Sequence, residues 1–430
     1  MNHLKLWLCA GSAAMTLGLA SAAVADDQAS GAPPAGGAAP AAAPAAAPTP
    51  TPPPYPAMGA TLSNNANSAT FDAGPLGKLT VNGVITGLGY VQDNPGFDLD
   101  GRPNKTSGID ISNGMATIQK TDGVFQFVVQ AGLYSFPALG TPYTTSTRNT
   151  TDLFGAVPVG YVKIVPNSTW SFEAGQLPTL IGAEAPFTYQ NLNIERGLLW
   201  NQEPLISRGL QANFSKGPWA VSVSWNDGYY TGSYTSISGN VTYTFKNSDT
   251  LVFDAAGNAS SNFSTCTVFG KCFSPALGGF GGPIGFAVPT GGQSQGQIFN
   301  LIYNHSQGKW AVTAYGQYSN IPATTVGIIP LPSGQSYGVA VLGKYSFTPE
   351  WSLAGRAEWI GSSGSATLLY GPGSNAWSLT LTPTYQKGIF FARGEFSYVG
   401  IGSGTVGAEF GQLFNKTEQF RGLLEGGVMF

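Results

Sequence analysis

Residues 219–226 read WAVSVSWN: Trp and Val occupy the odd positions, and Ala, Ser and Asn occupy the even ones. Side chains alternate between the two faces of a β-strand, so this stretch predicts a strand with one apolar and one polar face. The same alternation recurs in residues 377–382 (WSLTLT) and 237–245 (ISGNVTYTF). The pattern therefore predicts an all-β chain in which one strand face meets water and the other does not.

The apolar face is typical of a lipid contact rather than of a soluble core. Charged residues make up only 10% of the chain, and aromatic residues make up 12%. No apolar run after the N-terminal segment approaches the roughly 20 residues that a spanning helix needs. Large aromatic side chains recur at strand ends, as in the two interfacial girdles of outer-membrane barrels. They are Trp170, Trp310, Tyr318, Tyr345, Phe347, Trp351, Trp359 and Tyr398.

The spacing of strands and turns predicts a transmembrane antiparallel up-and-down β-barrel of about 16 strands, with 14 and 18 as alternatives. Turns of two to four residues alternate with loops of about 10 to 40 residues, which matches the short periplasmic turns and long external loops of outer-membrane barrels. An even number of strands places both termini in the periplasm. The expected strands are 78–92, 114–121, 123–134, 158–166, 169–177, 207–216, 218–227, 237–246, 249–258, 296–305, 309–318, 336–347, 350–361, 375–386, 389–400 and 419–430.

The N-terminal region predicts export. Residues 1–25 have a signal peptide's basic start, apolar centre and small-residue cleavage site before Asp26. Residues 26–57 are rich in Ala and Pro and predict a disordered periplasmic stalk, either a leader without a partner or a segment that touches the cell wall. Residues 58–77 form a short connecting segment, and residues 78–430 form the barrel. These features indicate the outer membrane of a Gram-negative bacterium.

Two cysteines follow the signal peptide, Cys266 and Cys272, and we expect them to form a disulfide within one loop in the oxidising periplasm. No His or third Cys lies near them, so we expect neither a metal site nor a cofactor. The mature chain has a single histidine, His305, which we place in a periplasmic turn. A Ser–His triad therefore has no suitable base, and we expect no enzymatic activity. The net charge of −3 gives no indication of nucleic-acid binding.

Charged residues within the predicted strands fall on the polar register and are expected to line the lumen. An Arg or Lys facing lipid at the midplane would cost about 2–4 kcal/mol, so stability alone favours this placement. These charges either set an electrostatic path for solutes or brace neighbouring strands as ion pairs. They are Lys163, Glu173, Asp254, Lys344, Arg356, Glu358, Arg393, Glu395, Arg421 and Glu425.

The most specific segment runs from Gly175 to Gly209. It contains a Gly-x-x-Pro-x-x-x-Gly-x-Glu run, then Asn-rich and Arg-Gly elements and a Pro before the next strand. This order resembles the OmpL-like β-barrel porin family, and the similarity covers most of residues 78–430. The resemblance implies that the third long loop folds into the lumen as a pore constriction. The implied pore-lining residues are Glu184, Glu195, Arg196 and Glu203. Alternatively, the loop's own hydrogen bonds hold it against the wall.

The strand that ends in Phe430 resembles the C-terminal signal read by the barrel-assembly machinery. A barrel of roughly 16 strands leaves an aqueous channel, whereas about eight strands would be filled by side chains. The sequence therefore predicts a porin-like channel for passive diffusion of small polar solutes, embedded in outer-membrane lipid. The alternative is a structural or binding barrel with a loop-closed lumen, used for surface recognition or as a cell-wall tether. Association into a homotrimer is open, because a trimer contact would be as apolar as a lipid-facing surface.

Overall fold

The computed structural model describes residues 62, 68–97, 103–259, 296–326, 329–365 and 369–430. The predicted signal peptide, the stalk and the cysteine pair lie outside the described residues. Nineteen strands are described. They are β1 (Ala69–Asp72), β2 (Lys78–Gln92), β3 (Ser107–Lys120), β4 (Phe125–Tyr134), β5 (Val159–Ile164), β6 (Trp170–Pro178), β7 (Ile206–Lys216), β8 (Trp219–Asn226), β9 (Ser236–Thr244), β10 (Thr250–Asn258), β11 (Gln297–Gln307), β12 (Trp310–Ile321), β13 (Thr324–Val326), β14 (Ile329–Leu331), β15 (Gly334–Ser346), β16 (Trp351–Gly364), β17 (Asn375–Lys387), β18 (Phe390–Ser403) and β19 (Glu418–Met429).

Sixteen of these strands form one closed antiparallel barrel. Each barrel strand pairs with its neighbour in the chain, β12 pairs with β15, and β19 pairs with β2 to close the sheet. Strands β13 and β14 form a separate hairpin in the loop between β12 and β15. The prediction of a transmembrane up-and-down barrel with about 16 strands is therefore confirmed.

Helical structure is limited to short turns in the described residues. They are Gly74–Leu76, Ser146–Asn149, Thr150–Phe154, Thr188–Gln190 and Trp200–Gln202. None of the described helices has the length and apolar character required to cross a membrane.

The two faces of the wall differ as the alternation predicts. In β17, Ser378, Thr380 and Thr382 are buried inside the barrel, whereas Leu379 and Leu381 are more than half exposed on its outer surface. Inward hydroxyls lie on the side of the lumen, and outward leucines form the apolar band that lipid requires.

Aromatic rings pair across neighbouring strands at both ends of the wall. Trp219–Tyr243 lies at the end with the short turns, with ring centroids 4.8 Å apart. Trp377–Tyr398 lies at the end with the long loops, also at 4.8 Å. Such pairs stabilise a sheet directly, and their amphipathic rings suit the boundary between lipid and water. The two belts thus mark the edges of the apolar band.

The structure adds a strand that the sequence did not predict. Strand β1 lies in the connecting segment and pairs with the start of β2, from Ala69 opposite Val81 to Asp72 opposite Lys78. The partner on that edge of β2, β19, ends at Met429 opposite Val84. Strand β1 therefore covers a short edge of β2 that would otherwise present unpaired backbone groups.

Strand β3 begins at Ser107, seven residues before the predicted start. Thr86 of β2 faces Asn113, and the next residue, Gly87, faces Ile111, so Ser112 is an extra residue in β3. This β-bulge reverses the alternation within the strand. The prediction failed here because a bulge interrupts the period of two on which the sequence argument depends.

The interior is not uniformly polar, contrary to the sequence expectation. Leu342, Ile302 and Ile360 are buried on the inward face and belong to one apolar cluster with Leu198 and Leu199. The two leucines come from the loop between β6 and β7. Apolar inward residues are stable here because this loop, rather than water, covers them.

Candidate pore-constriction loop

Residues 179–205, called the inserted loop below, connect β6 to β7 and pack inside the barrel. Ile181, Ile194 and Trp200 of this loop have no solvent-exposed surface. The loop ends stay together because Thr179 N donates a 2.9 Å hydrogen bond to the carbonyl of Leu205. The loop thus leaves the wall and returns to it at adjacent points, and the residues between them lie inside the lumen.

Asn191 fixes the tight fold of the loop. Its side-chain oxygen accepts from Ala185 N at 2.6 Å, and its amide nitrogen donates to the carbonyls of Ala185 and Phe187 at 2.8 Å each. An Asn side chain replaces backbone partners in this way where the chain has no regular ladder. The Asn-rich part of the motif is therefore what allows an irregular segment to be buried.

Glu184, one of the predicted pore-lining residues, contacts the wall. Its carboxylate lies 2.6 Å from Nη1 of Arg356 on β16 and accepts a hydrogen bond from Gly197 N at 2.8 Å. Arg356 also lies 3.3 Å from Glu358. Burial raises the pKa of Glu184 above its ordinary value, and Arg356 opposes that rise. The pair joins the loop to β16.

Glu195 makes a second ion pair, with Arg421 of β19. It also accepts a 2.7 Å hydrogen bond from the Ser397 hydroxyl. Arg421 donates to the carbonyl oxygens of Ala138 at 3.1 Å and Thr141 at 2.6 Å, in the loop between β4 and β5. One arginine thus holds two loops inside the barrel.

Arg196 is directed into the loop rather than towards the wall. Its guanidinium donates to the carbonyl oxygen of Ile194 at 2.8 Å and also to that of Pro186. It lies 5.4 Å from the ring centroid of Trp200, a cation–π contact. Arg196 has no exposed surface. In this conformation it stabilises the fold of the loop.

Glu203, the last of the four, accepts a 3.0 Å hydrogen bond from Gln317 of β12 through Oε1. Its Oε2 has no hydrogen-bond partner among the described residues. Burial raises the pKa of Glu203 well above its ordinary value, and Asp254, Glu184 and Glu358 add to the rise. All four predicted loop residues are thus buried against protein, and their contact with solutes stays a prediction.

Two wall carboxylates hold the loop through its backbone. Glu395 accepts hydrogen bonds from the backbone N–H groups of Ile194 and Glu195, the latter at 2.8 Å. Glu358 accepts from Leu198 N at 3.0 Å and Leu199 N at 3.4 Å. A carboxylate accepting two adjacent N–H groups satisfies buried donors that have no strand partner. Wall carboxylates therefore bind the backbone of the inserted loop at residues 194–195 and again at residues 198–199.

The remaining predicted lumen residues also point inward. Lys163 and Glu173 form a 3.0 Å ion pair between β5 and β6, away from the inserted loop. Arg393 pairs with Glu425 between β18 and β19.

Lys344 is half-buried and lies on the inward register of β15. Asp254 accepts hydrogen bonds from Gly182 N at 3.1 Å and Asn300 Nδ2 at 2.8 Å. Their influence on solute passage stays a prediction.

A cavity of about 390 Å³ lies beside the loop, bounded by the wall from β2 to β5. Its lining includes Thr117, Gln119, Gln130 and Tyr161 from the wall and Tyr189 from the loop. Beside it, four rings pack together: Phe136 lies 5.0 Å from Tyr134 and 5.9 Å from both Phe154 and Phe187. The cavity lining is both polar and apolar, and Phe187 is the ring of this aromatic cluster that borders it.

The sequence missed several residues that position the loop. Gln317 and Asn300 resemble any other inward Asn or Gln, and no local signal distinguishes them. The aromatic cluster was not predicted, because Tyr134 and Phe136 lie outside the Gly175–Gly209 motif. His305, placed in a turn by the sequence, instead lies within β11, with its Nδ1 2.8 Å from Asp249 Oδ1. Strand pairing continues two residues beyond the expected end at 305.

No three His, Cys, Asp or Glu side chains come close enough to hold a metal ion in the part of the chain that the structure describes. The interior carboxylates are instead distributed along the loop and wall, most of them beside an arginine.

Comparison with known proteins places this arrangement in a family. Residues 78–430 match the family model described as "Putative beta-barrel porin-2, OmpL-like". The match spans the whole barrel, including the inserted loop. No curated protein matches the chain.

Solved outer-membrane proteins share the fold at low identity. In-vitro folded OmpT of Vibrio cholerae is 9% identical with a TM-score of 0.53, covering 85% of this chain and 100% of OmpT. The outer-membrane channel DcaP of Acinetobacter baumannii is 11% identical with a TM-score of 0.52, and the match covers 82% of this chain and 97% of DcaP. An anion-selective porin from Comamonas acidovorans is 10% identical with a TM-score of 0.52, and the match covers 82% of this chain and 99% of that porin. These similarities are evidence of a common barrel architecture.

Proposed function

Since the chain belongs to the OmpL-like β-barrel porin-2 family, we propose that it is an outer-membrane channel through which small polar solutes diffuse passively. The observation that carries the proposal is the sixteen-strand barrel with the inserted loop inside its lumen. A wall of this size encloses an aqueous space unless loops fill it. The inserted loop is the constriction, and the 390 Å³ cavity beside it is part of the solute path.

The loop also supports a second candidate function. Glu195, Arg196 and Trp200 have no exposed surface, so the loop is tightly packed at this level of the lumen. A barrel sealed in this way would serve as a structural or binding protein, with its long loops contacting surface partners. Solutes pass only if the inserted loop or the aromatic cluster moves. The channel proposal requires this movement, whereas a sealed barrel does not.

The topology of the protein follows from the channel proposal. A signal peptide exports the chain, both termini lie in the periplasm, and the barrel-assembly machinery inserts it through the strand that ends in Phe430. The channel has no enzymatic activity and can associate as a homotrimer. Cross-linking of the protein in outer-membrane vesicles, followed by gel electrophoresis, tests the oligomeric state.

Single-channel conductance in a planar bilayer tests the function. The full-length barrel is compared with a variant in which a short Gly-Ser linker replaces residues 181–203; the Thr179–Leu205 hydrogen bond keeps the joined ends close. Stepwise ohmic openings of the full-length barrel are expected, with larger steps for the variant. A silent full-length barrel beside a conducting variant would establish the loop-sealed alternative. Two folded but silent barrels would contradict the role of the loop as constriction.

A further inference from the structure

Glu203 and Asp254 are carboxylates inside the barrel that form no ion pair among the described residues. Glu203 of the inserted loop is 0% exposed, and Asp254 of β10 is 1% exposed. By contrast, Glu184 and Glu195 each meet an arginine. An ionised carboxylate buried without a cation is strongly unfavourable, so Glu203 and Asp254 need either protons or a positive ion.

The two carboxylates meet the same residue, Gly182. Its N–H donates to Asp254 Oδ2 at 3.1 Å. The Glu203 carboxylate packs against the α-carbon of Gly182: a Cβ added at this position would lie 1.8 Å from Glu203 Oε2. Gly182 also has a φ of +89°, which L side chains rarely adopt. Glycine thus allows the loop to bring Glu203 next to Asp254.

Two buried oxygen atoms of this region have no hydrogen-bond partner among the described residues. They are Glu203 Oε2 and Asn300 Oδ1. Asn300 is 1% exposed, and its Nδ2 donates to Asp254 Oδ1 at 2.8 Å, which holds its amide beside that carboxylate. Gln317, opposite Asn300 in the β11–β12 register, binds the other oxygen of Glu203. Buried acceptors without donors are places where a bound ion or water would satisfy the protein.

We propose that Glu203, Asp254 and Asn300 bind a Ca²⁺ ion between the inserted loop and the wall. The donor set contains only oxygen atoms, which suits a hard cation rather than zinc or copper. Two carboxylates balance the charge of one divalent ion. Ca²⁺ accepts carboxylate and amide oxygens in irregular geometry, whereas Mg²⁺ demands an octahedron and retains several waters. An enclosed, asymmetric group of donors therefore favours Ca²⁺.

The ion would join the end of the loop to β10 and β11. The arginine pairs of Glu184 and Glu195 attach the loop to β16 and β19. Bound Ca²⁺ would provide a further attachment at a separate part of the wall, β10 and β11. The site has no signature in the sequence, because its ligands lie 46 residues or more apart and belong to no metal-binding motif. The site does not depend on whether the barrel conducts.

Thermal unfolding of the full-length barrel in detergent micelles tests the proposal, with EDTA or increasing CaCl₂ at constant ionic strength. Ca²⁺ binding to the folded state is expected to raise the unfolding midpoint of the wild type. Glu203→Gln and Asp254→Asn should each weaken Ca²⁺ binding at least tenfold. In EDTA, Glu203→Gln should be at least as stable as the wild type, because a buried charge is gone. At saturating Ca²⁺ this order should reverse.

Glu173→Gln is the matched control, because it removes an interior carboxylate that lies away from the loop. It should keep the Ca²⁺-dependent rise. The proposal is overturned if the wild type shows no Ca²⁺ dependence, or if both variants keep it, since the carboxylates would then be protonated. Equal stabilisation by Mg²⁺ would overturn the assignment to Ca²⁺. If Glu203→Gln does not fold, Asp254→Asn gives the same comparison.

Discussion

Replacing Arg421 with Met should release the inserted loop. Arg421 pairs with Glu195 and donates to the carbonyl oxygens of Ala138 and Thr141. Met fills a similar volume but leaves Glu195 with only the Ser397 hydroxyl as a side-chain partner. Removing one partner of a buried ion pair costs about 3–5 kcal/mol. The packed state of the loop should lose that stability, while the displaced state, where Glu195 meets water, should not.

The size of the effect follows from the energy. Because about 1.4 kcal/mol is a factor of ten, the balance between packed and displaced loop should change roughly 10²- to 10⁴-fold. In a planar bilayer, the Arg421→Met barrel should conduct for a larger fraction of time than the wild type. Adding Glu195→Gln removes the uncompensated charge and should recover at least about half of the lost stability.

The control is Lys163→Met, which breaks an interior ion pair between β5 and β6 without a contact to the loop. It should leave the open fraction unchanged. Heat-modifiability on gels verifies that each variant is a folded barrel. A folded Arg421→Met barrel with wild-type conductance would refute the reasoning, because the ion pair would then not hold the loop.

Three further substitutions test separate parts of the structure. A Cβ at Gly197 would lie 2.1 Å from Glu358 Oε1, so Gly197→Ala should lower stability by about 1–3 kcal/mol in thermal unfolding; an unchanged midpoint would mean that Glu358 does not hold the loop there. Leu379→Arg places a charge on the lipid face and should cost about 2–4 kcal/mol in denaturant titrations in lipid vesicles, whereas equal tolerance with the inward Thr380→Arg would contradict the assigned faces. Phe187→Ala opens the aromatic cluster and should cost about 3–5 kcal/mol while increasing conductance; a stable variant with unaltered current would show that these rings do not close the path.

The barrel itself was predictable because each strand carries its own signal. Fifteen of the sixteen predicted barrel strands begin within two residues of the observed start, as for Trp219–Asn226 against the expected 218–227, and the exception is β3. Alternation and turn length are local properties, so tertiary context changes them little. The errors occur where pairing with a distant strand decides the outcome: Ser112 forms a bulge against β2, and β1 pairs with the part of β2 that β19 does not reach.

The loop was predictable in part. Its motif and its Glu and Arg residues were recognised from sequence, but their partners were not. Glu184 and Arg356 are 172 residues apart, and Glu195 and Arg421 are 226 apart. Pairing over such distances depends on which strands face each other across the closed barrel, and one sequence carries no record of that arrangement.

By itself, the sequence determined that this protein is an outer-membrane barrel of about sixteen strands with one face for lipid, because a period of two and the shortage of charge are readable residue by residue. Only the tertiary structure decided what fills the lumen. Leu198 and Leu199 meet apolar wall residues, and Glu203 and Asp254 both come to lie against Gly182, only after closure brings the wall around the inserted loop. Inward residues become buried, and their charges become paired, only when the closed barrel surrounds them.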